Sequence, residues 1–196
     1  LLNFLLDIDC LSKINSYASK INIFNILKTE HTEIRHSNML AWLLNTNEKH
    51  GLGDIFIRNF LNEIIENNKD RFENINISKL LLDSIDNFTI YREYLHIDIL
   101  LINNKTKQLI AIENKIYSTQ HDNQLNTYKE QLDLKYPEFK DKILLYLTPN
   151  NSEDVDDSWI KISYALVLNA LKSSLAHKPN LDATAKLIID NYIEII

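Results

Sequence analysis

Cysteine is nearly absent. Cys10 is the only one in 196 residues, which excludes an internal disulfide framework and any multi-cysteine zinc site. Glycine and proline are almost as scarce, at two and three residues, so few linkers and mostly regular elements are expected. No apolar run approaches the roughly 20 residues of a membrane helix; Ile99–Ile102 is typical of the longest. The segment Leu1 to Leu6 is mostly apolar but has no basic leader, so it does not read as a signal peptide, and a cytoplasmic protein is expected. An excess of positive charge is also missing. Lys plus Arg number 21 against 27 Asp plus Glu, a net charge of −6, and the pI is about 5.5. Such a chain does not hold nucleic acid by bulk positive charge. Local basic patches, and a clustered acidic site for cations, stay open. No G-x-x-x-x-G-K-[ST] sequence occurs, so ATP use by this chain is not expected.

What remains is an ordinary globular composition, 45% hydrophobic and 24% charged. Its length suits one domain with a real core. Starting at Leu1 and ending at Ile196 within an apolar-periodic segment, the chain reads as a fragment of something longer. The first half reads as helices. An apolar cluster covers Ile21, Ile23, Phe24, Ile26 and Leu27, a helical segment runs from Glu30 to Asn45, and His50-Gly51-Leu52-Gly53 forms a turn. Asp54 to Glu66 is the clearest amphipathic helix, with Ile57, Phe60, Leu61, Ile64 and Ile65 on one stripe. The period then changes. Asn87 to Tyr94 alternates as a strand, and Leu95 to Ile102 reads as a strand or its continuation. Asn103 to Lys107 is a turn and Gln108 to Tyr117 a strand. His121 to Leu134 reads as a helix, Lys142 to Thr148 as a buried strand, and Trp159 to Ser163 as a short strand. Helices over Tyr164 to Ala176 and Leu181 to Ile196 close the chain, making a mixed α/β domain around one sheet.

The chemistry is concentrated between Leu95 and Tyr128. Glu113 and Lys115 are two apart, so on a strand they face the same way, about 6–7 Å apart. Asp98 sits among Ile97, Ile99 and Leu101, where a charge needs a reason. Folding the hairpin about the Asn103–Lys107 turn pairs positions whose numbers sum to about 210. Asp98 and Glu113 sum to 211 and become near-opposite, with Cβ atoms about 5 Å apart. Two such carboxylates repel, more so among apolar neighbours. A divalent cation between them, Mg²⁺ or Mn²⁺ for oxygen ligands, is the simplest remedy. Lys115 on the same face can then orient or deprotonate a water, or stabilise charge on a phosphoryl oxygen. A surface hairpin with its charges facing water is the plain alternative, and the apolar run Leu109-Ile110-Ala111-Ile112 counts against it. Gln124 and Tyr128 are four apart on one helix face whose amino end must lie near the strand that carries Glu113. Tyr128 can equally pack with Leu125 and Leu132 as core.

These words resemble the PD-(D/E)XK nuclease superfamily: Ile97-Asp98-Ile99-Leu100, then Glu113-Asn114-Lys115 fifteen residues after Asp98. Gln124-Leu125-Asn126-Thr127-Tyr128 resembles the QxxxY motif of its RecB-like branch. The wider pattern is similar to a bacterial and phage-associated family of that superfamily, in Glu33…His36-Ser37, Trp42-Leu43-Leu44, His50-Gly51-Leu52-Gly53, Arg92-Glu93-Tyr94 and Trp159. It extends from about Ile21 to about Tyr164; Ile97, where the family often has proline, is a common departure. The resemblance implies a restriction-endonuclease-like αβββαβ core, with extra helices at both ends, and metal-dependent cleavage of phosphodiesters, usually in DNA. It implies Asp98 and Glu113 as ligands of Mg²⁺ or Mn²⁺, Glu33 of the first core helix as a further ligand, and Lys115 as the catalytic lysine. Gln124 and Tyr128 would position the substrate or the lysine. On this basis residues 1–196 are expected to form one nuclease-like domain. Its helical N-terminal part would span 1–70, its catalytic core about 30–150, and its C-terminal helices 164–196. Defence against foreign DNA or DNA processing would suit it. The rival is a degenerate nuclease fold that binds nucleic acid or protein without catalysis; the presence of all of Asp98, Glu113 and Lys115 argues against it.

Other features carry less. His31 and His36 are five apart, about 140° round a helix, which is wrong for the zinc-protease pattern of histidines four apart. His36 shares a face with Glu33 and is read either as a substrate contact or as a capping or core-packing histidine bonded with Ser37. His50 and His121 read as turn and helix-start residues, His121 close enough to the next helix to touch phosphate. Trp42, Phe56 and Phe60 read as core. Tyr91, Tyr94 and Tyr117 either stack on bases or pack. Asp154, Asp156 and Asp157 form a solvated acidic loop without the spacing of a calcium site.

Overall fold

The computed structural model describes residues 21–29, 32–116, 123–149 and 155–196. Its frame is a five-stranded mixed sheet in the order β1-β2-β3-β4-β5. The strands are β1 (Thr89–Tyr94), β2 (Ile97–Asn103), β3 (Gln108–Asn114), β4 (Asp141–Leu147) and β5 (Ile160–Ile162). The first three form an antiparallel meander, and β3/β4 and β4/β5 pair parallel. The helices are α1 (Ile23–Ile26), α2 (Glu33–Leu44), α3 (Ile55–Asn67), α4 (Gln124–Lys135), α5 (Tyr164–His177) and α6 (Ala183–Ile193). This is the mixed α/β architecture expected, and α4 makes the crossover that a parallel β3/β4 pair requires.

Helices cover both faces of the sheet, which explains the strand sequences. Every residue of β3 is buried, and in β2 all but Asp98. A strand covered on both sides reads as a nearly continuous apolar run and not as an alternation. On one face Ile99, Leu101, Ile110, Ile112, Ile143 and Leu145 pack against α2, α3 and α5. On the other, Leu100, Ile102, Leu109, Ala111, Leu144 and Tyr146 meet Leu125, Tyr128 and Leu132 of α4. Of the α3 stripe, Ile57, Phe60, Leu61 and Ile64 are buried, with Phe56 beside them, and Ile65 packs half-buried at its edge. Each of the buried side chains contributes about 1.5–3 kcal/mol of gross apolar burial. The indole of Trp159, just before β5, donates to the Leu125 carbonyl at 3.2 Å and so ties the first turn of α4 to the sheet.

Three sequence expectations need correction. Leu95–Ile102 is not one strand or an extension of the previous one. The chain reverses at Leu95-His96, which adopt φ of 59° and 64°, and β2 runs back along β1. Two consecutive positive φ values are what a tight hairpin turn demands, normally supplied by Asn-Gly. Without either residue the turn leaves no mark in the sequence. β3 ends at Asn114, so Lys115 lies just past the strand; its backbone N–H still donates to the Leu147 carbonyl at 2.8 Å and prolongs the parallel ladder. The helix expected from His121 is described from Gln124, after Asn123 with φ of 67°. Residues His31, Tyr117, His121 and Asp154 lie outside the described residues. Between α3 and β1 the chain uses short 3₁₀ and π turns (Lys69–Phe72, Lys79–Ser84, Ile85–Asn87) too brief to carry a period.

The His50-Gly51-Leu52-Gly53 turn is an internal clasp. His50 is fully buried, its Nε2 bonds the Asn45 carbonyl at 2.9 Å, and its Nδ1 accepts from Leu52 N–H at 3.0 Å. Burial pushes its pKa down, in keeping with a neutral ring that donates once and accepts once. Its ring meets the partly buried Trp42 edge-on at 5.2 Å. Gly51 has φ of +76°, and a Cβ there would come within 2.8 Å of the Leu181 side chain. Gly51→Ala is therefore expected to cost about 1–3 kcal/mol of stability, read as an earlier midpoint in urea unfolding.

Candidate active site

Strand parity gathers the site. The β2/β3 register pairs Ile99 with Ile112 and Leu100 with Ala111. Its numbers sum to 211, one more than the centre expected of the turn, and its extension by one places Asp98 opposite Glu113. Both carboxylates share the α4 face of the sheet with Lys115, at the carboxyl end of β3. That end of a parallel pair is where open α/β sheets bind ligands.

The contacts are few and specific. Asp98 Oδ2 accepts from the Asn114 backbone N–H at 2.7 Å. Glu113, with its side chain 3% exposed, accepts at Oε1 from Lys115 Nζ at 3.3 Å and from Gln124 Nε2 at 3.2 Å. The Gln124 amide nitrogen also donates to the Tyr128 hydroxyl at 2.6 Å. Gln124 and Tyr128 thus act as a pair on one helix face. Tyr128 also packs in the core beneath α4, so both sequence readings of it hold at once. Among the described residues, the buried Glu113 Oε2 and Gln124 Oε1 have no hydrogen-bond partner. Two orphaned acceptors in one buried site are costly unless something fills them.

Glu33 enters from the opposite layer, as the first residue of α2. Its Oε1 accepts from the Ile116 backbone N–H at 2.8 Å, just beyond Lys115. Its charge reaches both Lys115 and Asp98. His36 does not join the cluster. It is 3% exposed and lies between the rings of Tyr164 and Tyr192, with centroids at 5.8 and 5.7 Å. Of the two readings of His36, its burial between the two rings matches core packing.

Electrostatics follow from burial. Desolvation, with help from Glu93, raises Asp98 to about 6 against the weaker pull of the Asn114 N–H. Desolvation and the Asp98 charge raise Glu113 to about 8. Burial alone would lower the Lys115 ammonium, but Glu113, Glu33 and Asp98 outweigh it and hold its pKa above the ordinary value. Tyr128 is raised by burial. A buried carboxylate pair that retains a proton near neutrality is a site short of positive charge.

That shortage suits a divalent cation. Glu113 Oε2 offers an oxygen with no competing donor, Asp98 offers the opposite carboxylate, and Glu33 stands at the rim. These are hard oxygen ligands of the kind Mg²⁺ and Mn²⁺ take. Among the described residues no three His, Cys, Asp or Glu side chains are already drawn together as a metal cage. Glu93 and Asn114 went unrecognised as site residues in the sequence. Once the Leu95-His96 turn is known, the β1/β2 register, which pairs Arg92 with Ile99, puts Glu93 opposite Asp98. Asn114 signals itself only as an amide at a buried strand position of the opposite parity to Glu113.

A family model of the PD-(D/E)XK nuclease superfamily matches residues 21–193. The chain belongs to that superfamily. Neither curated proteins nor solved structures yield a match. The match extends beyond the motifs, through α5 and α6, so the closing helices belong to the superfamily pattern too. The sheet and its helices are consistent with the restriction-endonuclease-like fold of that superfamily. A nuclease superfamily points to a nucleic-acid substrate. No helix among the described residues is long and apolar enough to cross a membrane.

The two raised carboxyl pKa values set a pH dependence. The unfolded chain releases these protons near pH 4, whereas the folded chain keeps them to about 6 and about 8, so the stabilisation is complete at low pH, declines as pH rises above about 4, and is gone once pH has passed about 6 for Asp98 and about 8 for Glu113. Glu113→Gln is expected to flatten the upper part of that decline and to stabilise the metal-free protein at pH 8 by on the order of 1–3 kcal/mol. Thermal melts in chelator across this range measure it; a wild-type slope retained in the variant would contradict the assignment.

Proposed function

We propose that this chain is a metal-dependent nuclease that hydrolyses phosphodiester bonds, with DNA as its substrate and Mg²⁺ or Mn²⁺ as its cofactor. The observation that carries the reading is Glu113: a buried carboxylate with one oxygen unpaired, across from Asp98 and 3.3 Å from Lys115, in a chain of a nuclease superfamily.

Asp98 and Glu113 would hold the cation, with Glu33 as the third carboxylate. When bound, the ion neutralises charge on the scissile phosphate and makes a water nucleophilic near neutral pH. Lys115 is kept protonated by its three acidic neighbours, so it enters as a donor. It orients the attacking water and stabilises negative charge that builds on the phosphoryl oxygens. Gln124 fixes Glu113 Oε1 and Tyr128 together, which prevents the carboxylate from swinging away. Fixing such ligands from behind keeps the site in a productive geometry. With a net charge of −6, the affinity for a polyanion must come from local groups and from the cation itself.

Cleavage of linear and circular, single- and double-stranded DNA with Mg²⁺ or Mn²⁺ tests the reading. Metal-dependent cutting is expected, abolished by chelator and slowed by about 10²–10⁴-fold in Lys115→Ala. Cutting of closed circles would assign endonuclease action. No cutting of any substrate and no binding of Mn²⁺ would overturn the proposal in favour of a non-catalytic binding module.

A further inference from the structure

Asn114, between Glu113 and Lys115, points its side chain through the sheet to the opposite layer. The amide is 1% exposed and bonded on both ends. Its Nδ2 donates to Ser37 Oγ at 3.1 Å and to the Glu33 carbonyl at 3.3 Å. Its Oδ1 accepts from the Tyr164 hydroxyl at 2.7 Å. Ser37 Oγ in turn donates to the Glu33 carbonyl at 3.1 Å. Ser37 is fully buried and Tyr164 nearly so.

This network meets the first turn of α2 from outside; it donates to a carbonyl and so adds to the turn without replacing a cap, which would accept from N–H groups. Thr32, at the N-cap position, makes no side-chain capping bond. Such a cap typically contributes about 1 kcal/mol and fixes the first helical turn. Here the first turn is fixed from outside, by Asn114 on the Glu33 carbonyl and by Ile116 N–H on the Glu33 carboxylate. The Tyr164 hydroxyl can donate to Asn114 only while the amide oxygen faces α5. In that orientation the amide nitrogen faces α2. The Glu33 carbonyl can only accept, so it turns the amide nitrogen toward α2, and the Tyr164 hydroxyl then holds the amide oxygen on the α5 side.

We infer that Asn114, braced by the Tyr164 hydroxyl and seated on Ser37, is a positioning residue that sets the Glu33 carboxylate at the rim of the cation site. The residue between the motif's acid and lysine is then a second functional position reached by strand parity. Its neighbours serve the α4 face, and it serves the α2 face. Tyr164, fifty residues further along the chain, becomes part of the site without touching it.

The inference rests on the cation-site reading above, and calorimetric titration with Mn²⁺ alone separates the two. Tyr164→Phe removes one hydroxyl and keeps the ring; Ser37→Ala removes the other anchor and serves as an independent variant. Each is expected to weaken Mn²⁺ affinity by about 10-fold, and Tyr164→Phe is expected to have no further effect in a Glu33→Gln background. A rise in the Mn²⁺ needed for half-maximal cleavage, with the maximal rate nearly unchanged, should accompany it. Unchanged affinity in both single variants, or the same 10-fold loss in the Glu33→Gln background, would overturn the inference while the cation site stands. Absence of Mn²⁺ binding by the unaltered protein would sink the cation site and the inference together.

Discussion

Two like charges buried opposite each other govern this molecule. Asp98 and Glu113 sit where a sheet covered on both faces would ordinarily place leucine or isoleucine. Their mutual repulsion, sharpened by desolvation, pulls every nearby polar group into service. The Asn114 N–H goes to Asp98, and Lys115 and Gln124 go to Glu113. Even so, one carboxylate oxygen is left without a partner. The arrangement is unfavourable for stability taken alone, and it persists because the covered strands hold Glu113 buried with Asp98 half-buried across from it. Strain of this kind, held by a scaffold that over-determines it, is a mark of functional sites.

The sheet separates two kinds of work. Its α2/α3/α5 face is a broad apolar layer that fixes the fold. Its α4 face is partly given over to acid, base and amide groups. β3 serves both because successive side chains alternate. Ile110 and Ile112 face the first layer, as does Asn114, while Glu113 and Lys115 face the second.

Much of this is legible in the chain itself. The Asn103–Lys107 turn is rich in turn formers, so the β2/β3 register, and with it the Asp98–Glu113 pairing, followed from counting. The Gln124–Tyr128 pair followed from helix period. The α3 stripe was plain because only one of its faces is buried. What escaped notice had no local mark. Leu95-His96 is a hairpin turn without asparagine or glycine, held by the pairing on either side of it, and missing it hid Glu93. Asn114 depends on Tyr164 and Ser37, partners distant in sequence that only the tertiary fold brings together. Helix spacing puts Glu33 and His36 on one face, yet one reaches the rim and the other fills the core, because the start of α2 abuts the end of β3.

The order of the strands has a consequence for how the protein assembles. β1, β2 and β3 pair with their neighbours in sequence across short turns, so loop-closure entropy favours the meander forming first. The parallel β3/β4 pair must wait for the α4 crossover, a closure of more than twenty-five residues. In the early meander the two facing carboxylates are still open to water, and their repulsion is screened. The desolvation penalty falls due only when α4 docks. Docking of α4 is thereby the step that buries the facing carboxylates, and loosening α4 would open the site while leaving the hairpins standing.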